Sequence, residues 1–505
     1  MKMICNRMLR KHLPIILILL ASFYLLFNNL GNQFLWQDEA ETAVLARNTL
    51  EYGFPRAYDG KNLVNPTIRT GYGPDHGWRY HPWGQFYITA LSFRIFGEGT
   101  FRARLPFALF GLINILLVYL FTLRTTENRN TAAIAAFLTG LSVPFLLLMR
   151  QCRYYAPAVF LILTILLLYH WFLKRKTVFI LLPLAATLAL LGHTVHGMYV
   201  PVTAALAAHY ILFSADRKTW PWFFACCLGS FLLVLPWFIY SNSSAHVASI
   251  TAERIWKNLE FQIRMINKYI IPAAFLLSMY PLRGMLTKRW TIHLRAGEKQ
   301  ALKLITPVIV LSILAFCFAQ ERNFRYLVYF IPLLAIVEAM ILIRLMRFNR
   351  VLFTAFLLIS IFTNFFNMFR PEPLLPRYLY EITHDYDGPI EGIVRFFWAR
   401  SDRIKKGETI KISYGDMPLM FYTDFRVDNS GVYDKEHMPE WIVFRRWWDG
   451  KESLTGEYFL EVQKEYKKHV LNYPDIPWEN RPGDIDYHGF STDTEAPGVI
   501  IFEKK

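Results

Sequence analysis

The sequence predicts a polytopic α-helical membrane protein that ends in an extracytoplasmic α/β domain. Three observations predict it. Of the 505 residues, 54% are hydrophobic, with 42 Phe, 27 Tyr and 14 Trp. Apolar runs near the ~20 residues that cross a bilayer recur as far as residue 370, without the polar face that a soluble helix needs. The Lys and Arg behind the formal net charge of +16 fall between those runs rather than on one soluble face, which excludes a nucleic-acid-binding surface and reads as topology.

The first run, LPIILILLASFYLLFNNL, follows MKMICNRMLRKH, and no small-residue cleavage site closes it. It is expected to be a retained span rather than a leader. Lys2, Arg7, Arg10 and Lys11 place the N-terminus in the cytoplasm. Spans are expected near 13–30, 104–123, 131–149, 155–173, 178–194, 198–213, 220–240, 268–283, 302–319, 326–343 and 351–369. With sides alternating, LRTTENR, KRK, ADRK, RGMLTKRWTIHLR and RLMRFNR are all cytoplasmic and all basic, which supports about eleven spans. The stretch PWGQFYITALSFRIFG, 82–97, is apolar and helical in pattern. A span there would invert everything after it, so a helix in the outer interface is expected. Trp36, Trp171, Trp220 and Trp237 read as interfacial belt residues, and Pro144, Pro236 and Pro332 as kinks.

Residues 1–370 therefore form the membrane domain, with one long outer loop over 31–103, and residues 371–505 a polar tail. Within the tail ETIKISYG, EWIVFRR and GVIIFEKK read as strands, and GDMPLMFYT as a short helix after the first. All five cysteines lie outside the tail, so it holds no internal disulfide.

The outer loop opens with NQFLWQDEAETAVLARNTLEYG, which sets Asp38, Glu39 and Glu41 just past the first span. Asp38 as N-cap with Glu41 three residues on has the spacing of a capping box, and acids at a helix N-terminus are favoured by its dipole. A carboxylate at the membrane surface can equally serve as a base. Spacing leaves both readings open.

LWQDEAETAVLARNTLEYG, then YHPWGQFYITALSFRIFGEGTFRARLPFALFGL, RQCRYYAPAVFLIL and ERNFRYLVYFIPLLAI, resemble in order the GT-C membrane glycosyltransferases. The resemblance is to the protein mannosyltransferase and aminoarabinose lipid A transferase branch (glycosyltransferase family 39-like) and covers most of residues 30–345. It implies a GT-C fold and an inverting enzyme. Such an enzyme would pass a hexosyl or pentosyl unit from a polyprenyl-phosphate carrier, such as undecaprenyl phosphate, to a lipid, protein or glycan acceptor outside the membrane. The family's base maps onto Asp38, with Glu39 as a supporting acid. One base suffices for inversion, whereas retention needs a second carboxylate as nucleophile. Its compact length suits a bacterial inner membrane, with the tail in the periplasm.

The leaving phosphate needs positive charge, and arginines on the outer side run against the usual charge bias. Arg102 and Arg104 head the second span, Arg153 follows the third, and Arg325 lies in ERNFRY. Each can grip phosphate oxygens or simply snorkel at the interface. Tyr154 and Tyr326, beside them, and Tyr80 and His81, before Pro82, complete the expected substrate-binding set. The aminoarabinose branch often carries Glu-Lys-Pro where this chain has Tyr80-His81-Pro82, which loosens the link to that branch's donor. No cofactor is required by the sequence. His193 and His196, three apart at an outer turn, are candidates for a divalent metal, though capping is the commoner use of such a pair. WENRPGDIDYH, 478–488, could touch an acceptor sugar, or simply be a folded loop of the tail. The alternatives are a lipid-linked oligosaccharide transferase or ligase, and a non-enzymatic transporter of lipid-linked sugar. A transporter calls for ionisable groups deep in spans, and Glu338 is the clear candidate.

Overall fold

The computed structural model describes residues 2–65, 71–214, 216–241, 251–270, 295–320, 322–361, 374–385, 387–404, 406–430, 438–450, 456–476, 488 and 495–505. The helices are α1 (Lys2–Phe27), α2 (Gln37–Tyr52), α3 (Gly84–Phe96), α4 (Thr100–Thr126), α5 (Arg129–Leu141), α6 (Val143–Met149), α7 (Tyr155–Arg175), α8 (Leu181–Gly192), α9 (His196–Phe213), α10 (Trp220–Tyr240) and α11 (Ala252–Tyr269), most of them on the apolar runs. The helices Ala296–Cys317, Ile331–Phe348 and Arg350–Ile361 follow. Among the described residues five stretches are long and apolar enough to cross a membrane: Thr100–Thr126, Tyr155–Arg175, Arg217–Tyr240, Ala296–Cys317 and Phe324–Phe348. The pair α5–α6, bent by 66°, passes the same test only when taken together, as a broken span or a re-entrant loop. His12–Phe27 and Val178–Gly192 are shorter apolar helices. The chain is an integral membrane protein with a small sheet in its tail. Residues 271–283 and 362–369, within two of the expected spans, lie outside the described residues, as does 478–487.

Several local expectations change. Pro144 stands at the 66° bend between α5 and α6, as expected of a kink, whereas Pro332 opens the helix Ile331–Phe348 and Pro236 lies inside α10. Trp36 and Trp237 are buried, so they are not belt residues, whereas Trp171 is about half exposed. The sequence assigned no element to α11; its Asn258 donates to the carbonyls of Cys317 (2.9 Å) and Ala319 (3.0 Å). Glu338 is buried and accepts a hydrogen bond from Ser360.

The chain packs as two compact units. One comprises Met1–Asn28, Phe107–Arg150 and Tyr154–Leu379, the other Asn29–Pro106, Gln151–Arg153 and Tyr380–Lys505. In the helical unit α4 meets α7 through Asn114, which donates to the Ala156 carbonyl at 3.0 Å, and through Phe110 against Phe160. The second unit joins the outer loop and the tail into one body.

In that second unit the tail sheet has the order β2-β1-β3-β5-β4, with β1 (Thr409–Ile412), β2 (Arg426–Asp428), β3 (Trp441–Phe444), β4 (Tyr466–Pro474) and β5 (Gly498–Lys504). β2, β1 and β3 run parallel, and β5 and β4 add antiparallel. The three expected strands are β1, β3 and β5, and the expected helix is Asp416–Tyr422. β1 and β3 are buried along almost their whole length, as strands covered on both faces are.

The helix Asp416–Tyr422 packs on α2 and fixes the start of the outer loop. Gln37 donates to Asp416 (2.6 Å) and accepts from the Gly415 amide (3.2 Å). The Tyr422 hydroxyl accepts from the Leu35 amide (2.9 Å) and lies 2.6 Å from the Thr100 hydroxyl. Glu391 accepts from the Phe34 amide at 2.7 Å, and Arg47 caps the carbonyls of Met420 and Phe421. α2 ends at Gly53, whose left-handed φ of 80° a side chain would strain. α3 packs on α2 with Phe86, Ala90 and Phe93 buried and Tyr87, Leu91 and Ile95 exposed. Its 13 residues span only ~20 Å, short of the ~30 Å hydrocarbon core.

Tyr422→Phe leaves the buried Leu35 amide without its acceptor. The expected outcome is a fall in stability of about 1–3 kcal/mol, read as a lower melting temperature of the purified protein in detergent.

Candidate active site

The site is built on the first two turns of α2. The helix starts at Gln37, so its N-cap is Trp36, which makes no side-chain cap bond. The expected capping box of Asp38 and Glu41 is therefore not formed. Asp38 and Glu39 lie instead in the first turn, where the dipole still favours them.

Glu39 is fully buried and faces Arg104, at the head of α4, through two bonds of 2.9 and 2.6 Å. Arg104 sends its remaining N–H groups to the carbonyls of Leu30 (3.1 Å), Gln33 (2.8 Å) and Phe34 (3.1 Å). A guanidinium has five N–H donors, and all five are spent within the protein. Arg104 thus has none to offer a phosphate, contrary to the expected substrate-binding role. Glu39 also accepts from the Cys152 amide at 3.0 Å, which ties the turn 151–153 to α2.

That turn delivers Arg153 to the other two acids. Its side chain is buried; Nη1 donates to the Asp38 carbonyl (3.0 Å), the Thr42 hydroxyl (3.2 Å) and Glu41 (3.3 Å). Nη2 lies 3.8 Å from the Asp38 carboxylate and 3.3 Å from His81 Nε2. A guanidinium only donates, so His81 Nε2 is the acceptor there. Tyr80 packs edge-on to His81 and is exposed.

Glu41 also accepts from Asn65 at 2.6 Å. Burial raises its pKa to about 7 against the pull of Arg153, and the nearby Asp38 adds to the rise. The three acids are therefore unequal. Glu39 is matched by Arg104, Glu41 is held by Arg153 and Asn65, and Asp38 keeps 27% of its side chain accessible.

Of the remaining expected residues, Arg102 belongs to the same unit as Asp38 and the others to the helical unit. Arg102 is exposed and donates to the Glu98 carbonyl at 2.8 Å; two residues from Arg104, it points to another side of the helix. Tyr154, Arg325 and Tyr326 belong to the helical unit. There Tyr154 packs edge-on to Tyr155, whose hydroxyl is 3.4 Å from Arg325, and Tyr326 stacks on Phe316. His193 ends α8 with Nε2 3.1 Å from the Leu233 carbonyl, and His196 opens α9 against Phe238. No group of three or more His, Cys, Asp or Glu suited to a metal occurs among the described residues. Between Asp38, Glu41 and His81 the cation is the Arg153 guanidinium, which a divalent ion would have to displace.

Comparison with known proteins agrees with this architecture. The model of the dolichyl-phosphate-mannose-protein mannosyltransferase family matches residues 80–240. The structure superimposes on ArnT from Cupriavidus metallidurans, solved bound to undecaprenyl phosphate, with a TM-score of 0.57, 12% identity and 97% of both chains covered. Its fold is that of the GT-C membrane glycosyltransferases. A second structure with the GT-C fold, the archaeal oligosaccharyltransferase AglB from Archaeoglobus fulgidus in complex with an inhibitory peptide and a dolichol-phosphate, matches with a TM-score of 0.56 and 12% identity. That match covers 94% of this chain and 75% of the other. An uncharacterized protein of Aquifex aeolicus (strain VF5) is 29% identical over 234 residues, which span 45% of this chain and 43% of the relative.

Two outcomes follow from the geometry. Glu39→Gln leaves the buried Arg104 guanidinium unneutralised and is expected to destabilise by about 3–5 kcal/mol, seen as low yield of folded protein and a lower melting temperature. Glu41 has a folded pKa above its unfolded value, so its stabilisation is complete at acidic pH and lost as pH rises through about 7. Wild type should therefore lose stability between pH 5 and 8, on the order of 1–3 kcal/mol, and Glu41→Gln should flatten that slope in melting curves.

Proposed function

We propose that this protein is an inverting glycosyltransferase that moves a sugar from a polyprenyl-phosphate carrier to an acceptor hydroxyl on the extracytoplasmic side of a bacterial inner membrane. The N-terminus is cytoplasmic and the tail periplasmic in this reading. The observation that carries it is the inequality of the three acids: Asp38 alone combines an accessible carboxylate with a buried cation beside it.

In the reaction Asp38 takes the proton of the acceptor hydroxyl as that oxygen attacks the anomeric carbon. The bond from carbon to the carrier phosphate oxygen breaks, and the phosphate leaves with the bonding electrons. A single displacement inverts the configuration. Retention would need a second accessible carboxylate as nucleophile, and Glu39 and Glu41 are both buried against arginines. Arg153 fixes the Asp38 backbone through its carbonyl and holds the carboxylate near 3.8 Å. The donor is already activated by its phosphate, so the reaction calls for no nucleotide. The family match over residues 80–240 supports the same reaction class.

The deciding measurement is transfer by purified protein from a panel of polyprenyl-phosphate monosaccharides, with one pyrophosphate-linked oligosaccharide alongside, for wild type and Asp38→Asn. The variant is expected to lose activity by roughly 10²–10⁴-fold with an unchanged melting temperature. A folded variant as active as wild type overturns the mechanism, and transfer from the oligosaccharide alone supports an oligosaccharide transferase instead.

A further inference from the structure

A cavity of about 520 Å³ opens between the C-terminal ends of α4 and α7, in the helical unit. One face of α7 forms most of its wall. Thr164, Leu167, Leu168, Trp171, Lys174 and Arg175 line it, and their spacing of i, i+3, i+4, i+7, i+10 and i+11 is that of a single helical stripe. The stripe changes character along its length: apolar within the span, then cationic in the last turn. Arg124, in the last turn of α4, adds a third positive charge across the cleft. Trp171 is 52% exposed where the apolar and cationic parts meet.

Two ordinary uses account for part of this. Basic residues in a last turn offset the helix dipole, and Lys174 lies 3.7 Å from the exposed Glu127. Neither calls for a cleft that continues inward from the charges along leucines and a tryptophan. One acid against three cations also leaves the cleft positive. A free phosphate would be matched by the cations alone, whereas the apolar wall calls for a chain attached to it.

We propose that this cleft is a binding site for an anionic phospholipid, its phosphate held by Arg124, Lys174 and Arg175 and an acyl chain laid along Leu167, Leu168 and Trp171. Basic pockets between helices on the positively biased side of a membrane suit such headgroups, and the turns that bear these residues are basic ones. The site is independent of the acidic cluster and of the reaction proposed for it.

The test uses the full chain reconstituted in phosphatidylcholine vesicles containing either brominated phosphatidylglycerol or brominated phosphatidylcholine. Bromine quenches tryptophan on contact, and the difference between wild type and Trp171→Phe isolates the signal of the cleft. The expected result is a preference of about fivefold or more for phosphatidylglycerol at Trp171, lost in a variant carrying Arg124→Gln, Lys174→Gln and Arg175→Gln. Substituting Arg217 and Lys218, on another basic turn, should leave it unchanged. Equal quenching by the two lipids in wild type overturns the proposal without recourse to the triple variant. So does a preference that persists in a folded triple variant, or one that glycerol phosphate abolishes by competition.

Discussion

The buried pair of Glu39 and Arg104 is the constraint on which the outer body depends. Taking two charges out of water is costly, and only close geometry with every remaining donor satisfied recovers that cost. Here the geometry is met in full. The guanidinium binds the carboxylate through two nitrogens and ties down three carbonyls of the strap that leads into α2. An apolar pair would fill the same space without prescribing a position. The ion pair prescribes one, fixing the head of α4 and the first turn of α2 to each other. The Cys152 amide on the same carboxylate then places Arg153. The accessible acid is thus set two steps away from the pair that positions it.

The tail acts on the same helix from outside. Its helix Asp416–Tyr422 supplies Asp416 to Gln37 and the Tyr422 hydroxyl to Leu35, on either side of Trp36. Burial raises the pKa of Asp416, against the hydrogen bonds that hold it. A domain that the sequence sets apart by composition is therefore a wall of the site. Arg104 grips the approach to α2 from one element, and the tail grips it from another, so the first turn has little freedom to shift.

Much of this architecture was legible because its signal is local. Continuous apolar runs marked the five stretches long and apolar enough to cross a membrane, and buried hydrophobic strands marked β1, β3 and β5. β2 is only three residues long, and β4, YKKHVLNYP, is an edge strand whose Lys467 and Lys468 face solvent, so neither carries a hydrophobic pattern. The acidic stretch marked the site, but the division of labour within it was hidden. Glu41 read as half of a capping box because its partners, Asn65 and Arg153, lie 24 and 112 residues away. Arg102 and Arg104 looked equivalent in sequence, and only the helix separates the exposed one from the buried one. The helix start moved because Trp36 is buried in an extended conformation, which no capping rule anticipates.

The outer body is assembled from three pieces, Asn29–Pro106, Gln151–Arg153 and Tyr380–Lys505, and this has a consequence for biogenesis. During synthesis α2 emerges early, yet the residues that clamp it arrive with the last quarter of the chain. Until then the acidic loop lacks its tail contacts, and the Leu35 amide lacks its acceptor. Closing so long a loop is slow, so the interval is one of vulnerability to proteolysis and mispairing. A ribosome that stops short of β5 releases a chain whose spans are complete and whose sheet lacks the strand between β3 and β4. The order of the elements thus couples synthesis of the tail to the fixing of the first loop, and a product truncated before the tail carries the acids without the contacts at Leu35 and Gln37.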